Sequence, residues 1–213
     1  MAKGYTQTYG INYQETFSPV VRLNTVRVLL SLIENLDWPL HQFDVKNAFF
    51  HGDLEEKVYM DIPPRYTASS EGKMACKLQR ALYGLKQSPW AWFGWFGLAM
   101  RKYGFQQSNL DRTFFLKHRS TKVSALIIYV DDIIITGDDA KEISRLQEQL
   151  STEFEMKNLG GLKYFPGIEI SRSRQGIFLC KDNMYWTCCP KWDCWSVSQL
   201  ILQLFRIINL ENI

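Results

Sequence analysis

Residues 126–137 read LIIYVDDIIITG, two aspartates held between two β-branched, apolar runs. Adjacent like charges repel, and apolar flanks raise the cost of ionising them. The simplest reading is a tight hairpin whose tip is the Asp131-Asp132 pair, since aspartate is common in turns. Yet Asp-Asp fits a two-residue hairpin less well than Asn-Gly or Asp-Gly, and apolar strands on both sides make this tip more than a wet loop. A third acid, Asp44 in LHQFDVK (residues 40–46), also interrupts an apolar strand pattern. Phe43 and Val45 share one face of that strand, so Asp44 projects from the other.

Three carboxylates on strands suit a hard divalent cation. Mg²⁺ prefers oxygen ligands and is commonly shared between one or two carboxylates and substrate phosphates. Two such ions about 3.5–4 Å apart can clamp the attacking and leaving oxygens of a phosphoryl transfer. Bound cations also remove the like-charge objection. Because neighbouring strand residues face opposite ways, Asp131 is expected to share metal with Asp44, and Asp132 to have the lesser contact. Asp53, Glu55, Glu56, Asp138 and Asp139 lie in polar stretches and read as solvated surface or helix caps.

Around this centre the chain reads as α+β. Its 213 residues are 46% hydrophobic and 22% charged, enough for a real core. Helices are expected at 24–36 behind an Asn24 or Thr25 cap, from Ser88-Pro89 to about Tyr103, and after Asp139, where Glu142 completes a capping box. Strands are expected at 40–46, 57–62, 113–118, 122–130, 133–136, 162–170 and 176–180, with a loop at 63–73. Without strict strand–helix alternation, an antiparallel sheet backed by helices fits best. No apolar run approaches the roughly 18 residues of a membrane span. No targeting signal is seen, so a cytoplasmic or nuclear setting is expected. The five cysteines are an odd number and make a poor disulfide framework.

Net charge is only +3 but unevenly spread. Lys73–Lys122 is strongly basic, with Asp111 as its one acid, whereas Asp131–Glu155 is acidic, with Lys141 and Arg145 as its bases. Ordinary solvated surface accounts for this; so does a basic track for a phosphate backbone beside an acidic metal-holding pole.

QFDVKNAFFHGDLEEKVYMDIPP, LYGLKQSP, YVDDIIITG and LKYFPGIEI occur in this order, and together they resemble the reverse transcriptase of copia-type LTR retrotransposons over roughly residues 2–182. A nuclease or phosphatase with a two-metal site would explain the acids but not these stretches together. The resemblance implies a right-hand polymerase palm and fingers, truncated here, spanning residues 1–182. It implies RNA- or DNA-templated DNA synthesis on a DNA primer from deoxynucleoside triphosphates, with two Mg²⁺ or Mn²⁺ ions and no membrane. It also implies RNase H and integrase elsewhere in the parent Pol polyprotein and, for the parent element, a virus-like particle. It assigns Asp44, Asp131 and Asp132 to catalysis and metal binding, and Phe49 to the steric gate against a ribose 2′-hydroxyl. Tyr83, Gly84 and Gln87 fall at the nucleotide and template contacts and Leu162–Ile170 at the primer terminus, while Lys86 either touches a phosphate or is simply exposed. Trp90 and Pro166 depart from the usual Arg and Leu.

Residues 183–213 do not continue the pattern. Shifting allowed codons for this tail by one base spells a polymerase-like continuation, so an out-of-frame tail is expected. Cys188, Cys189 and Cys194 lack the paired spacing of a zinc site. An inactive retroelement relic that at most binds nucleic acid weakly is the alternative to a working polymerase.

Overall fold

The structure, a computed structural model, describes residues 4–62, 75–165, 167–173, 176–181 and 184–190. The 63–73 loop, Pro166 and the tail beyond residue 190 lie outside them. Three helices are described: α1 (Leu23–Leu36), α2 (Ser88–Lys102) and α3 (Ala140–Glu153). The strands are β1 (Leu40–Val45), β2 (Tyr59–Asp61), β3 (Ala75–Lys77), β4 (Gln106–Gln107), β5 (Phe114–Arg119) and β6 (Lys122–Tyr129). They continue with β7 (Asp132–Gly137), β8 (Met156–Gly160), β9 (Tyr164–Phe165), β10 (Ile168–Ser173), β11 (Gly176–Lys181) and β12 (Met184–Pro190). No described helix is long and apolar enough to cross a membrane.

Two compact units form. One gathers the chain up to Ser18 with Asn47–Leu98; the other gathers Pro19–Lys46 with the chain from Ala99 on. The second unit holds an antiparallel six-stranded sheet in the order β4-β5-β6-β7-β1-β8 and a four-stranded sheet in the order β12-β11-β10-β9. In the first unit β2 pairs with β3.

The long apolar runs of β6 and β7 follow from their central place, because both faces of the six-stranded sheet are covered. Ala125, Ile127, Ile134, Phe114 and Leu116 share one face. They join the core with Val26, Leu29, Leu30 and Ile33 of α1 and with Ile168, Ile170, Ile177 and Leu179 of the smaller sheet. The alternate residues Leu126, Ile128, Ile133, Ile135 and Phe43 are buried as well, and α3 packs on β7 through its Ile143, Leu146 and Leu150 stripe. The α1 helix is buried around most of its girth, including Glu34, which meets Arg172 of β10 at 3.2 Å.

Local chemistry sets most boundaries. Asp139 caps α3 by accepting a hydrogen bond from the Glu142 N–H at 3.2 Å. The reciprocal half of the expected capping box is replaced, since Glu142 turns to Lys117, 2.5 Å away. Arg22, rather than Asn24 or Thr25, stands at the start of α1. Ser88 does not cap α2: its hydroxyl donates to the Leu82 carbonyl at 2.7 Å. The single strand expected at 162–170 divides into β9 and β10, which pair with each other around Gly167 at φ +81°. The Met156–Gly160 edge strand is polar and mostly exposed, so its sequence carries no apolar alternation.

Gly137 ends β7 with φ +141°, and a Cβ there would sit 2.2 Å from the Val123 carbonyl oxygen. Strand β6 therefore leaves no room for a side chain. Gly137→Ala should lower unfolding free energy by about 2–4 kcal/mol, and Asp139→Ala by about 1 kcal/mol. Urea denaturation followed by circular dichroism measures both, with equal losses at the two positions counting against the steric argument.

Candidate active site

The β1 sequence LHQFDV alternates so that Phe43 and Val45 are buried while Asp44 is only partly covered. Strand β1 pairs with β7 with Asp44 directly opposite Asp132, and Asp132 is in turn opposite Tyr129 of β6. Directly opposed residues project to the same face of a sheet. Asp44 and Asp132 are therefore side by side, with Tyr129 beyond Asp132. On the far side of Asp44 the register places Lys157 of β8.

The turn is one residue earlier than the sequence reading gave. Its central residues are Val130 and Asp131, and Asp132 is already the first residue of β7. Val130 has φ +53°, an outlying conformation for a β-branched residue. A positive φ at the first central position alone is the sign pattern of a II′ hairpin turn, the hand that matches strand twist. The Asp131 carbonyl accepts a 2.8 Å hydrogen bond from the Val45 N–H, so the turn is stitched to β1. This shift moves the neighbour of Asp44 from Asp131 to Asp132. Asp131 belongs to the turn rather than to the ladder.

Asp132 is held above its ordinary carboxylate pKa of 3.8, first by burial, with the hydrogen bond from Gln42 pulling down and the Asp44 charge pushing up. Gln42 was not singled out in the sequence, although its spacing of two from Asp44 places both on one face. Its Nε2 lies 3.2 Å from Asp132 Oδ1 and 2.9 Å from the Tyr164 carbonyl oxygen. Among the described residues, no three His, Cys, Asp or Glu side chains form a cluster that could hold a metal ion. The structure brings Asp44 and Asp132 together, with Asp131 in the adjoining turn. That all-oxygen, anionic pair still fits a hard divalent cation, which uses one or two carboxylates and completes its shell with water and phosphate.

The expected nucleotide contacts fall in the other unit. Asn47 at φ +54° leads into a short 3-10 turn, Ala48–His51, which buries Phe49. The Phe49 ring packs 4.5 Å from that of Tyr83, and Phe50 meets Tyr83 at 5.8 Å. Gly84, at φ +99°, presents its carbonyl to Gly4 so closely that a Cβ on Gly4 would lie 2.0 Å away. Gln7 then clasps the following residues. Its Oε1 accepts from the Lys86 N–H at 2.9 Å, and its Nε2 donates to Gln87 Oε1 at 2.9 Å. Gln87 is 1% exposed and donates its own Nε2 to the Asn12 carbonyl at 3.1 Å. The Lys86 ammonium lies 3.2 Å from the Tyr13 hydroxyl and 5.0 Å from its ring centre. The sequence offered no sign of this clasp, because it joins residues some 80 positions apart.

The basic stretch divides between the units. Lys77, Arg80 and Lys86 lie in one and Arg101, Lys102, Arg112, Lys117, Arg119 and Lys122 in the other. Lys117 and Arg119 are partnered by Glu142, and Lys102 by Glu153. All the rest of these cations are exposed.

A family model described as reverse transcriptase (RNA-dependent DNA polymerase) matches residues 1–193. The Retrovirus-related Pol polyprotein from transposon RE1 of Arabidopsis thaliana is 40% identical over 183 residues, 84% of this chain and 12% of that protein. Its counterpart from transposon RE2 of the same plant is 39% identical over 179 residues, with the same coverage. The Pol polyprotein from transposon TNT 1-94 of Nicotiana tabacum is 40% identical over 175 residues, 82% of this chain and 13% of that protein. The chain thus spans roughly an eighth of the length of these relatives.

A raised carboxylate pKa has a definite sign in stability. The fold disfavours ionised Asp132, so its contribution is most favourable below the ordinary 3.8 and is lost as pH climbs through the raised value. Asp132→Asn removes that penalty and keeps an acceptor for Gln42. In metal-free buffer containing a chelator, the variant should be more stable than the parent at pH 7, with the gain vanishing near pH 3. Urea midpoints across that range check this; a variant less stable at pH 7 contradicts it.

Proposed function

The chain belongs to the reverse transcriptase (RNA-dependent DNA polymerase) family, and from that membership we propose that it carries the nucleotidyl-transfer centre of a copia-type retrotransposon polymerase. The unit with the six-stranded sheet is the palm, and the unit with Phe49 and the Gln7 clasp belongs to the fingers. The reaction is attack of a primer 3′-hydroxyl on the α-phosphate of a deoxynucleoside triphosphate, with pyrophosphate leaving, directed by an RNA or DNA template. The observation that carries this reading is the Asp44–Asp132 register, which sets two carboxylates on one face beside the Asp131 turn.

Asp44, Asp132 and the adjacent Asp131 hold the divalent cations, two Mg²⁺ or Mn²⁺, which when bound supply charge stabilisation at the attacking and leaving oxygens. The like-charge strain between Asp44 and Asp132 supports this role, since a cation relieves it. Phe49, whose ring is backed by Tyr83, is the residue that discriminates against a 2′-hydroxyl. Lys86 and the Tyr83-Gly84 backbone line the triphosphate and template side. The Gln87 amide is committed to Gln7 and Asn12, so its reach to a nucleotide begins with exchange of those two bonds. Leu162 to Ile170, which includes β9, holds the primer terminus.

A second reading rests on the exposed bases Lys77, Arg80, Lys86, Arg101, Arg112 and Lys122. On that reading the chain binds nucleic acid through its exposed bases without catalysis, and the expected out-of-frame tail, residues 183–213, belongs to a relic.

Primer extension on an RNA template with Mg²⁺ separates the two. Incorporation that falls at least about 100-fold in Asp131→Asn supports the polymerase; salt-sensitive binding with no incorporation supports the relic. In the active case, Phe49→Val should raise ribonucleotide use relative to deoxyribonucleotide about 10-fold or more. An unchanged ratio removes Phe49 from the gate.

A further inference from the structure

We propose that Gln42 is a positioning residue of the carboxylate site, orienting Asp132 and coupling it to the backbone of β9. The inference deepens the polymerase reading and rests on it. Gln42 is 6% exposed although it is polar and sits in a strand, and buried polar groups require partners. Both partners are at the site. One amide hydrogen serves Asp132 Oδ1 at 3.2 Å and the other the Tyr164 carbonyl at 2.9 Å. Strand β9 belongs to the four-stranded sheet and pairs with β10, so the Gln42 side chain joins two separate sheets at the position of the acid. The Phe165 ring adds a second tie from β9, edge-on to Tyr129 at 6.1 Å, and Tyr129 is the residue opposite Asp132.

The chemistry of an amide matters here. Arginine or lysine at this position would neutralise Asp132 and compete with a cation for it. Leucine would leave the carboxylate oxygen and the Tyr164 carbonyl without their donor. A neutral donor alone fixes the direction of the carboxylate and leaves its full negative charge available. Residues that hold a metal ligand from behind in this way commonly change metal affinity by 10–100-fold when altered. Through Tyr164 the same amide ties the carboxylate to the segment assigned to the primer terminus, so displacement of β9 also moves Asp132.

The test is Mn²⁺ affinity of the whole 213-residue chain, read by electron paramagnetic resonance without nucleic acid, with circular dichroism to establish folding. Gln42→Leu should weaken Mn²⁺ binding about 10-fold or more. In an Asp132→Asn background the same change should have little further effect, because the group through which Gln42 acts is gone; a purely structural role would give equal losses in both backgrounds. Gln42→Met, which keeps the length of the side chain but offers no donor and adds no charge, should also bind Mn²⁺ about 10-fold more weakly. Should Gln42→Leu fail to fold, this variant alone decides. Parent-like affinity in a folded Gln42 variant, or additive losses, overturns the role of Gln42 while leaving the carboxylate site standing. Equal Mn²⁺ affinity in the parent and Asp44→Asn overturns the carboxylate site itself, and the Gln42 role with it.

Discussion

Two like charges face each other across the β1–β7 ladder, and much of the architecture serves to keep them there. Asp44 and Asp132 are opposed at the end of five consecutive cross-strand pairs, the other four of which carry Leu40, Phe43 and three isoleucines of β7. Because the pleat has a period of two, a slip of one residue would turn Phe43 out of the core and Asp44 into it. Burial of Phe43, Val45, Ile133 and Ile135 therefore fixes the register, and the register forces the carboxylates together. The repulsion at one end of the ladder is small beside the apolar burial along its length. Val130 shows the same balance, since its left-handed conformation is carried by two long, well-paired strands and by the Val45–Asp131 hydrogen bond.

The central strands and all three helices were legible because their patterns are strong. LIIYV and IIITG are too apolar for anything but buried strands, and Ile143, Leu146 and Leu150 recur at helical spacing. What escaped depends on long-range or conformational facts. The turn residues were misplaced because propensity favours Asp-Asp over Val-Asp in a turn, while strand twist selects the hand of the turn irrespective of side chain. The Met156–Gly160 strand was missed because an exposed edge needs no apolar alternation. The division of 162–170 turned on Gly167 adopting φ +81°. Gln42 escaped notice because its partner Tyr164 comes from another sheet, 122 positions away.

The candidate site was read unevenly for the same reasons. Spacing brought Asp44 and the Asp131-Asp132 pair to notice, but which acid faces which is a property of register, visible only when the strands are paired. Family resemblance located Phe49, Tyr83, Gly84, Lys86 and Gln87, and the structure adds their surroundings. Phe49 packs against Tyr83 with the rings tilted, while Lys86 and Gln87 are clasped by Gln7, Asn12 and Tyr13. The N-terminal stretch thus acts as scaffold for the LYGLKQSP loop. The family match runs to residue 193, past the boundary drawn at 182, and the backbone of Met184–Pro190 pairs with β11.

Convergence of acids from two distant segments on one cation is the central claim, and Mn²⁺ line broadening tests it directly. In a ¹⁵N-labelled sample, substoichiometric Mn²⁺ relaxes amide signals only near where it binds. The account predicts selective loss of the signals of Asp44, Val45, Asp131 and Asp132 together, while those of the acids on α3 persist. Broadening confined to one of the two segments, or centred on Glu148 and Glu153 instead, would contradict it.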